Sequence, residues 1–325
     1  MAAVDPAAAD PSAGDPSADG VVGGGGAAGA AGAAGAVTDT HLHLWDLAES
    51  SYAWLAGAPE PLRRTVRIDD VSGDLERLGV TRVVLVQADD TVEDTAHLQR
   101  TARAIEAGPA GGASTIVRAD VVGWLPLRDP AAVREVLTDP RRTDHLVGVR
   151  HLVHDEPDPG FLDRPEVARS LDLLAEAGLP LDVPDAFPRH MEQVERVARR
   201  HPGLTVVLDH LGKPPLGDAA AMPLWEGQLE RIAACPNVVA KVSGLATSGN
   251  GDFAAAADRA LRLFGAHRLM VGSDWPIAPT HRDLGSGFAP LLAHVRTWAR
   301  ADVAAVTRGT AARIYRRLGD PAPAA

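Results

Sequence analysis

The chain has one cysteine, Cys235, in 325 residues. No intrachain disulfide can form, and a cysteine-built zinc site is excluded. Any metal therefore has to be held by histidine and carboxylate, which favours a divalent ion such as Zn²⁺ or Mn²⁺ over iron–sulfur chemistry. A reducing, cytoplasmic setting suits such a sequence. Lysine is almost as scarce: positive charge comes from arginine except at Lys213 and Lys241. Aromatic residues make up 4% of the chain, and no apolar run approaches the ~20 residues a membrane-spanning helix needs. There is no basic stripe to neutralise phosphates, and the net charge is −11, so neither nucleic acid nor membrane is an expected partner.

What is present divides in two. Residues 1–36 are almost entirely Ala, Gly, Pro, Asp and Ser, a mixture too weakly apolar to offset its ordering entropy, and they read as a disordered tail with no secretion signal. Residues 37–325 alternate short β-branched runs with longer segments whose apolar residues recur at three and four. Strands are expected at Val37–Thr40, Arg82–Gln87, Ile116–Trp124, Leu146–Arg150, Leu179–Val183, Thr205–Asp209, Asn237–Val242 and Leu269–Ser273. Helices are expected near 70–78, 91–107, 129–138, 163–177, 188–201, 219–234, 253–265, 285–298 and 302–317. Eight βα units in one series predict a single α/β domain, a closed (β/α)8 TIM-type barrel. A doubly wound open sheet is the alternative, but it normally carries a glycine-rich turn after its first strand. Here that strand runs into Asp39-Thr40-His41-Leu42-His43, and the glycine run at 23–26 has no strand before it.

In a barrel the chemistry sits where strands end. The polar residues at those ends are His41 and His43, Gln87, Arg150 and His151, Asp209 and His210, Lys241 and Ser243, and Ser273 and Asp274. Side chains two apart on a strand share a face, so His41 and His43 form half of a metal site. The same alternation groups Val206, Leu208 and His210, and Met270, Gly272 and Asp274. If those faces point inward, His210 and Asp274 complete a set of three histidines and one carboxylate. A lone histidine is more often a satisfied structural residue, but an H-x-H pair closing the first of eight strands is seldom accidental. The two lysines, Lys213 and Lys241, lie at or just after strand ends, where an ammonium can polarise a substrate oxygen. Trp45, Trp124 and Trp275 follow or close strands, where their faces could support a sugar ring or simply cap the core.

These residues resemble a known family, the amidohydrolase-related proteins, in the branch that holds sugar-acid lactonases of the L-fuconolactonase and L-rhamnonolactonase kind. The resemblance runs from about 37 to 317 through Thr38–Asp46, Val86-Gln87-Ala88, Val122-Gly123-Trp124, Gly148–His151 with Asp155-Glu156-Pro157, Leu208–Pro214, Lys241–Leu245 and Val271–Pro276. It implies a metal-dependent hydrolase barrel with His41, His43, His210 and Asp274 at the metal and catalytic positions. Strand five, Leu179-Pro180-Leu181-Asp182-Val183, departs from the fuller pattern because it has no histidine and no lysine to carboxylate. A binuclear centre is therefore not expected, which leaves one divalent ion or none.

The expected reaction is opening of a sugar-acid lactone by water, a step of carbohydrate metabolism, with Asp274 taking the proton and returning it to the leaving alkoxide. His210 and His151 are the alternative imidazole bases. Trp45, Gln87, Trp124, Arg150, Lys213, Lys241 and Trp275 are the expected substrate-binding residues. A metal-dependent decarboxylase of an unsaturated or aromatic acid, and a non-catalytic binding protein on the same fold, remain the rivals. The sequence leaves the sugar, the metal and the oligomeric state open, a homo-oligomer included.

Overall fold

The computed structural model describes residues 36–108, 115–277, 284 and 287–320. The expected tail lies outside the described residues except for Ala36, and so does the start of the helix expected from 285. Eight parallel strands follow one another in chain order: β1 (Val37–Leu42), β2 (Val80–Val86), β3 (Arg118–Gly123), β4 (Leu146–Arg150), β5 (Leu181–Val183), β6 (Val206–Leu208), β7 (Val238–Val242) and β8 (Leu269–Val271). Each is buried along nearly its whole length, because a parallel strand here meets helices on one face and the barrel interior on the other. The last strand returns to the first: His43 N donates to Trp275 O (2.8 Å), Asp274 N to His41 O (2.7 Å), and Thr40 Oγ1 to Val271 O (2.7 Å). The protein is a (β/α)8 barrel.

The outer layer is α1 (Ser72–Leu78), α2 (Val92–Ala107), α3 (Pro130–Thr138), α4 (Pro165–Ala177), α5 (Met191–Arg200), α6 (Met222–Ala233), α7 (Phe253–Phe264) and α8 (Phe288–Val295). Local sequence sets their ends. Asp129 accepts from the amides of Ala131 and Ala132 ahead of α3, with Pro130 in the first turn, and Gly178 (φ 72°) ends α4 in the left-handed conformation. The helix expected over 302–317 is broken into α9 (Arg300–Ala304) and α10 (Thr310–Ile314) by a π-helical turn at Ala305–Gly309. Among the described residues no helix is long and apolar enough to cross a membrane.

Two buried apolar clusters divide the interior. The larger lies between sheet and helices; the smaller fills the barrel with Val84, Val86, Val122, Val207, Val239 and Met270, closed from below by Ala311, Ile314 and Tyr315. This corrects the alternation expected on β6. Val207 points inward while Val206 and Leu208 pack toward the helices, so strand parity alone would carry His210 away from the barrel mouth.

Candidate active site

His210 reaches the mouth because the chain reverses hand after β6. His210, Leu211, Gly212 and Lys213 all have positive φ (55°, 54°, 73° and 69°). Left-handed conformation costs roughly 1–2 kcal/mol for each non-glycine residue, so the surrounding structure has to hold it. Trp225 Nε1 donates to Leu211 O (2.9 Å), Phe187 N to Gly212 O (2.8 Å) and Lys213 N to His210 O (2.9 Å). Asp274, also left-handed (φ 59°), is pinned by its amide to His41 O, and Asp39 Oδ1 accepts from the amides of both His41 (3.1 Å) and Ser273 (2.9 Å). Two glycines make the space. A Cβ on Gly272 would lie 2.7 Å from His41 Cβ, and one on Gly244 would lie 2.5 Å from His210 Nδ1 and 2.8 Å from Asp274 Oδ2.

Three imidazoles consequently converge on one carboxylate oxygen. Asp274 Oδ1 lies 3.5 Å from His43 Nε2, 3.7 Å from His210 Nε2 and 3.8 Å from His41 Nε2, and the two H-x-H nitrogens are 3.1 Å apart. Tetrahedral ligands at ~2.0–2.1 Å from zinc stand about 3.4 Å apart, so these donors fit a divalent ion. His41, His43 and Asp274 form one candidate ligand group; His41, Asp209 and His210 form another. The surroundings disfavour the charged imidazolium at His41 and His43 and keep Asp274 ionised. Burial, then the Lys241 ammonium, push the His41 imidazolium well below its usual pKa, and burial lowers His43 despite its contact with Asp274. Burial opposes ionisation of Asp274, but His210, the His43 hydrogen bond and His41 offset it and hold the carboxyl well below the usual carboxylate range.

Above the cluster lies a cavity of about 260 Å³, near the lower end of the ~300–1,000 Å³ typical of ligand pockets. Its wall includes His43, His210 and Asp274 together with Arg150 and Lys213. The Arg150 guanidinium donates to Gln87 O and stands 3.3 Å from His41 Nε2. Lys213 Nζ donates to Thr247 Oγ1 (2.8 Å) and pairs with Asp185 Oδ1 at 3.6 Å.

Other expected residues lie elsewhere. Trp45 is wholly buried with its Nε1 on Arg64 O (2.6 Å), so no substrate face is free. Gln87 is buried, with its amide nitrogen donating to Asp90 Oδ1 (2.9 Å). Lys241 is buried beneath His41, between Asp182 (2.7 Å) and Asp209 (2.9 Å). His151 is held between Asp90 (3.1 Å) and Glu156 (3.0 Å), stacked on Phe161, with Trp124 Nε1 on its Nδ1 (3.2 Å), and neither ring lines the cavity. Trp275 faces a separate cavity behind Asp274.

Sequence reading missed Trp54, His154 and Asp185, which do line the cavity. Trp54 stands on a single turn within the β1–α1 connection and donates to Ala88 O (2.7 Å), while Trp45 backs it edge-on at 5.5 Å. A search restricted to strand ends could not find it. The available signal was a Trp-containing apolar cluster, Tyr52-Ala53-Trp54-Leu55, inside a connection that otherwise reads as polar.

The chain resembles known proteins over most of its length. The chain is 32% identical over 306 residues to an L-fucono-1,5-lactonase of Burkholderia multivorans, covering 88% of this chain and 97% of that one. It is 32% identical over 248 residues to an L-fucono-1,5-lactonase of Burkholderia ambifaria, covering 74% and 80%. A solved amidohydrolase of Burkholderia multivorans with bound zinc superposes with a TM-score of 0.74 at 30% identity, covering 86% of this chain and 98% of that one. The amidohydrolase family model matches residues 38–317, which run from β1 past α10 and take in the whole histidine–aspartate cluster, and the chain belongs to that family.

Proposed function

We propose that the protein hydrolyses a sugar-acid lactone of the L-fucono-1,5-lactone type, with Asp274 as the proton-transferring group. The observation that carries this reading is the convergence of three imidazole Nε2 atoms on one ionised carboxylate at the floor of a small cavity that also presents a guanidinium and an ammonium. The names of the 32% identical relatives support the substrate class.

His41, His43, His210 and Asp274 would hold a single divalent ion, zinc or manganese. Such an ion supplies nucleophile at neutral pH by lowering the pKa of water from ~16 toward ~7. The protein's own groups do the rest. Asp274, ionised and 5% exposed, accepts a proton from the attacking water at Oδ1 or Oδ2 and returns it to the alkoxide as the ester bond opens. Arg150 and Lys213 donate to the carbonyl oxygen and hydroxyls of the substrate, where charge develops. Trp54 offers a ring face to the C–H surface of the sugar. The domain boundary fits the same reading, with residues 37–325 as the catalytic barrel and 1–36 as a dispensable tail.

A panel of five- and six-membered aldonolactones, followed by proton release with and without chelator, tests the proposal. Turnover of at least one sugar lactone that chelation reduces is the expected result. No hydrolysis across the panel with metal supplied would overturn it.

A further inference from the structure

Both ring nitrogens of His41 face donors and acceptors together, and the distances decide which nitrogen carries the proton. On one side Lys241 Nζ stands 3.1 Å from Nδ1 in hydrogen-bonding geometry. That amine is wholly buried, 2.7 Å from Asp182 Oδ2 and 2.9 Å from Asp209 Oδ1. Between two carboxylates it is an ammonium, with three protons and no lone pair. Asp209 Oδ1 also comes within 3.4 Å of His41 Nδ1, but without hydrogen-bond alignment.

On the other side His43 Nε2 lies 3.1 Å from His41 Nε2. His43 Nδ1 is 2.9 Å from Val86 O, which only accepts, so the His43 proton is on Nδ1 and its Nε2 is a bare lone pair. Arg150 Nη1, a donor, stands 3.3 Å from His41 Nε2.

The two tautomers of His41 are therefore unequal. With the proton on Nε2, both 3.1 Å contacts are satisfied, one accepted from Lys241 and one given to His43, and Arg150 alone is opposed. With it on Nδ1, both 3.1 Å contacts become repulsive, and what is gained is the misaligned Asp209 and the longer Arg150 contact. We propose that Lys241 is a positioning residue that holds metal-free His41 as the Nε2–H tautomer, making the H-x-H pair one donor and one lone-pair ligand. His41 then joins an ion only by moving its proton to Nδ1, toward Asp209. This reading is independent of the substrate.

Nitrogen-15 NMR of the full chain, stripped with chelator, tests it directly. Long-range proton–nitrogen correlations of the rings, assigned through H41Q and H43Q, should show protonated Nε2 in His41 and protonated Nδ1 in His43. In K241M, whose side chain keeps the apolar stem, His41 should change to the Nδ1–H pattern. A purely structural lysine would not move that signal. Protonated Nδ1 in wild-type His41, or an unchanged Nε2–H pattern in folded K241M, would overturn the proposal. If K241M does not fold, the wild-type spectrum decides alone.

Discussion

At the bottom of the barrel Asp120 takes three arginines: Arg82 Nε at 2.8 Å, Arg118 Nε at 2.8 Å and Arg317 Nε at 2.7 Å. Arg82 also donates to Ala311 O (3.3 Å) and Tyr315 O (2.5 Å), which fastens the last helix under the strands. The top of the same barrel is equally charged but far less complete. Both oxygens of Asp209, Oδ1 of Asp182, Oε1 of Gln87 and Nε of Arg150 are buried there without an aligned hydrogen bond. Buried polar groups are normally satisfied, because an orphan costs about 1–3 kcal/mol. The two ends show one fold treating charge in opposite ways: a saturated network that closes the barrel, and one in which several buried polar atoms have no aligned partner.

The largest expected effect comes from the open end. Asp274→Asn keeps the shape of the side chain but cannot take a proton, so kcat should fall by about 10²–10⁴ while KM and Tm stay close to wild type. Because its neighbours hold the Asp274 carboxyl well below the usual range, the group stays ionised at mildly acidic pH. Any loss of rate toward acid near neutrality then belongs to another group. A near-wild-type rate in the Asn variant would move the base to His210, whose Nε2 shares the same cavity.

The closed end should answer in stability alone. Asp120→Ala leaves Arg82, whose side chain is 11% exposed, without its carboxylate, whereas Arg118 and Arg317 can turn to water. Breaking a buried pair from one side costs about 3–5 kcal/mol, so the urea midpoint should drop sharply with little change in kcat of the folded enzyme. Lost turnover at full stability would show that the two ends are coupled and sink the division.

Gly244→Ala sharpens the contrast from within the site. The added Cβ would meet both His210 and Asp274 below 3 Å, from a backbone at φ 59° that alanine adopts poorly. Displacement of catalytic groups by about an ångström costs on the order of 10² in rate, so kcat should fall by that amount with a smaller loss of stability, about 1–3 kcal/mol. Unchanged kinetics would mean that the glycine is not what admits the two side chains.

How far the sequence foretold this arrangement depends on which rule applied. Strand–helix alternation revealed eight βα units, and the H-x-H spacing singled out His41 and His43, because both depend only on local periodicity. Face parity failed at His210: the left-handed turn from His210 to Lys213 is stabilised by Trp225 and Phe187, contacts that no local pattern announces. Lys241 was legible as unusual but not as buried, since its partners Asp182 and Asp209 lie on other strands. Tyr315 is farther still, reaching Asp182 Oδ2 (2.5 Å) across 133 positions. Long-range placement of this kind is set by barrel closure.

The smallest expected effect tests where the closed end begins. If the barrel floor is secured by Arg82, Asp120 and the last helix, nothing before Val37 is needed to hold it, and the Ala/Gly-rich composition of 1–36 gives that segment little apolar surface to bury. A chain beginning at Val37 should keep the Tm and kcat of the full protein. Within that chain Val37 N bonds to Gly79 O (3.0 Å) and Thr38 pairs with Arg82 on β2, which ties the first strand to its neighbour. A lower Tm with unchanged kcat would place the tail in the stabilising end of the molecule. A lower kcat at unchanged Tm would instead give it a role at the cavity, and the separation of the two ends would have to be redrawn.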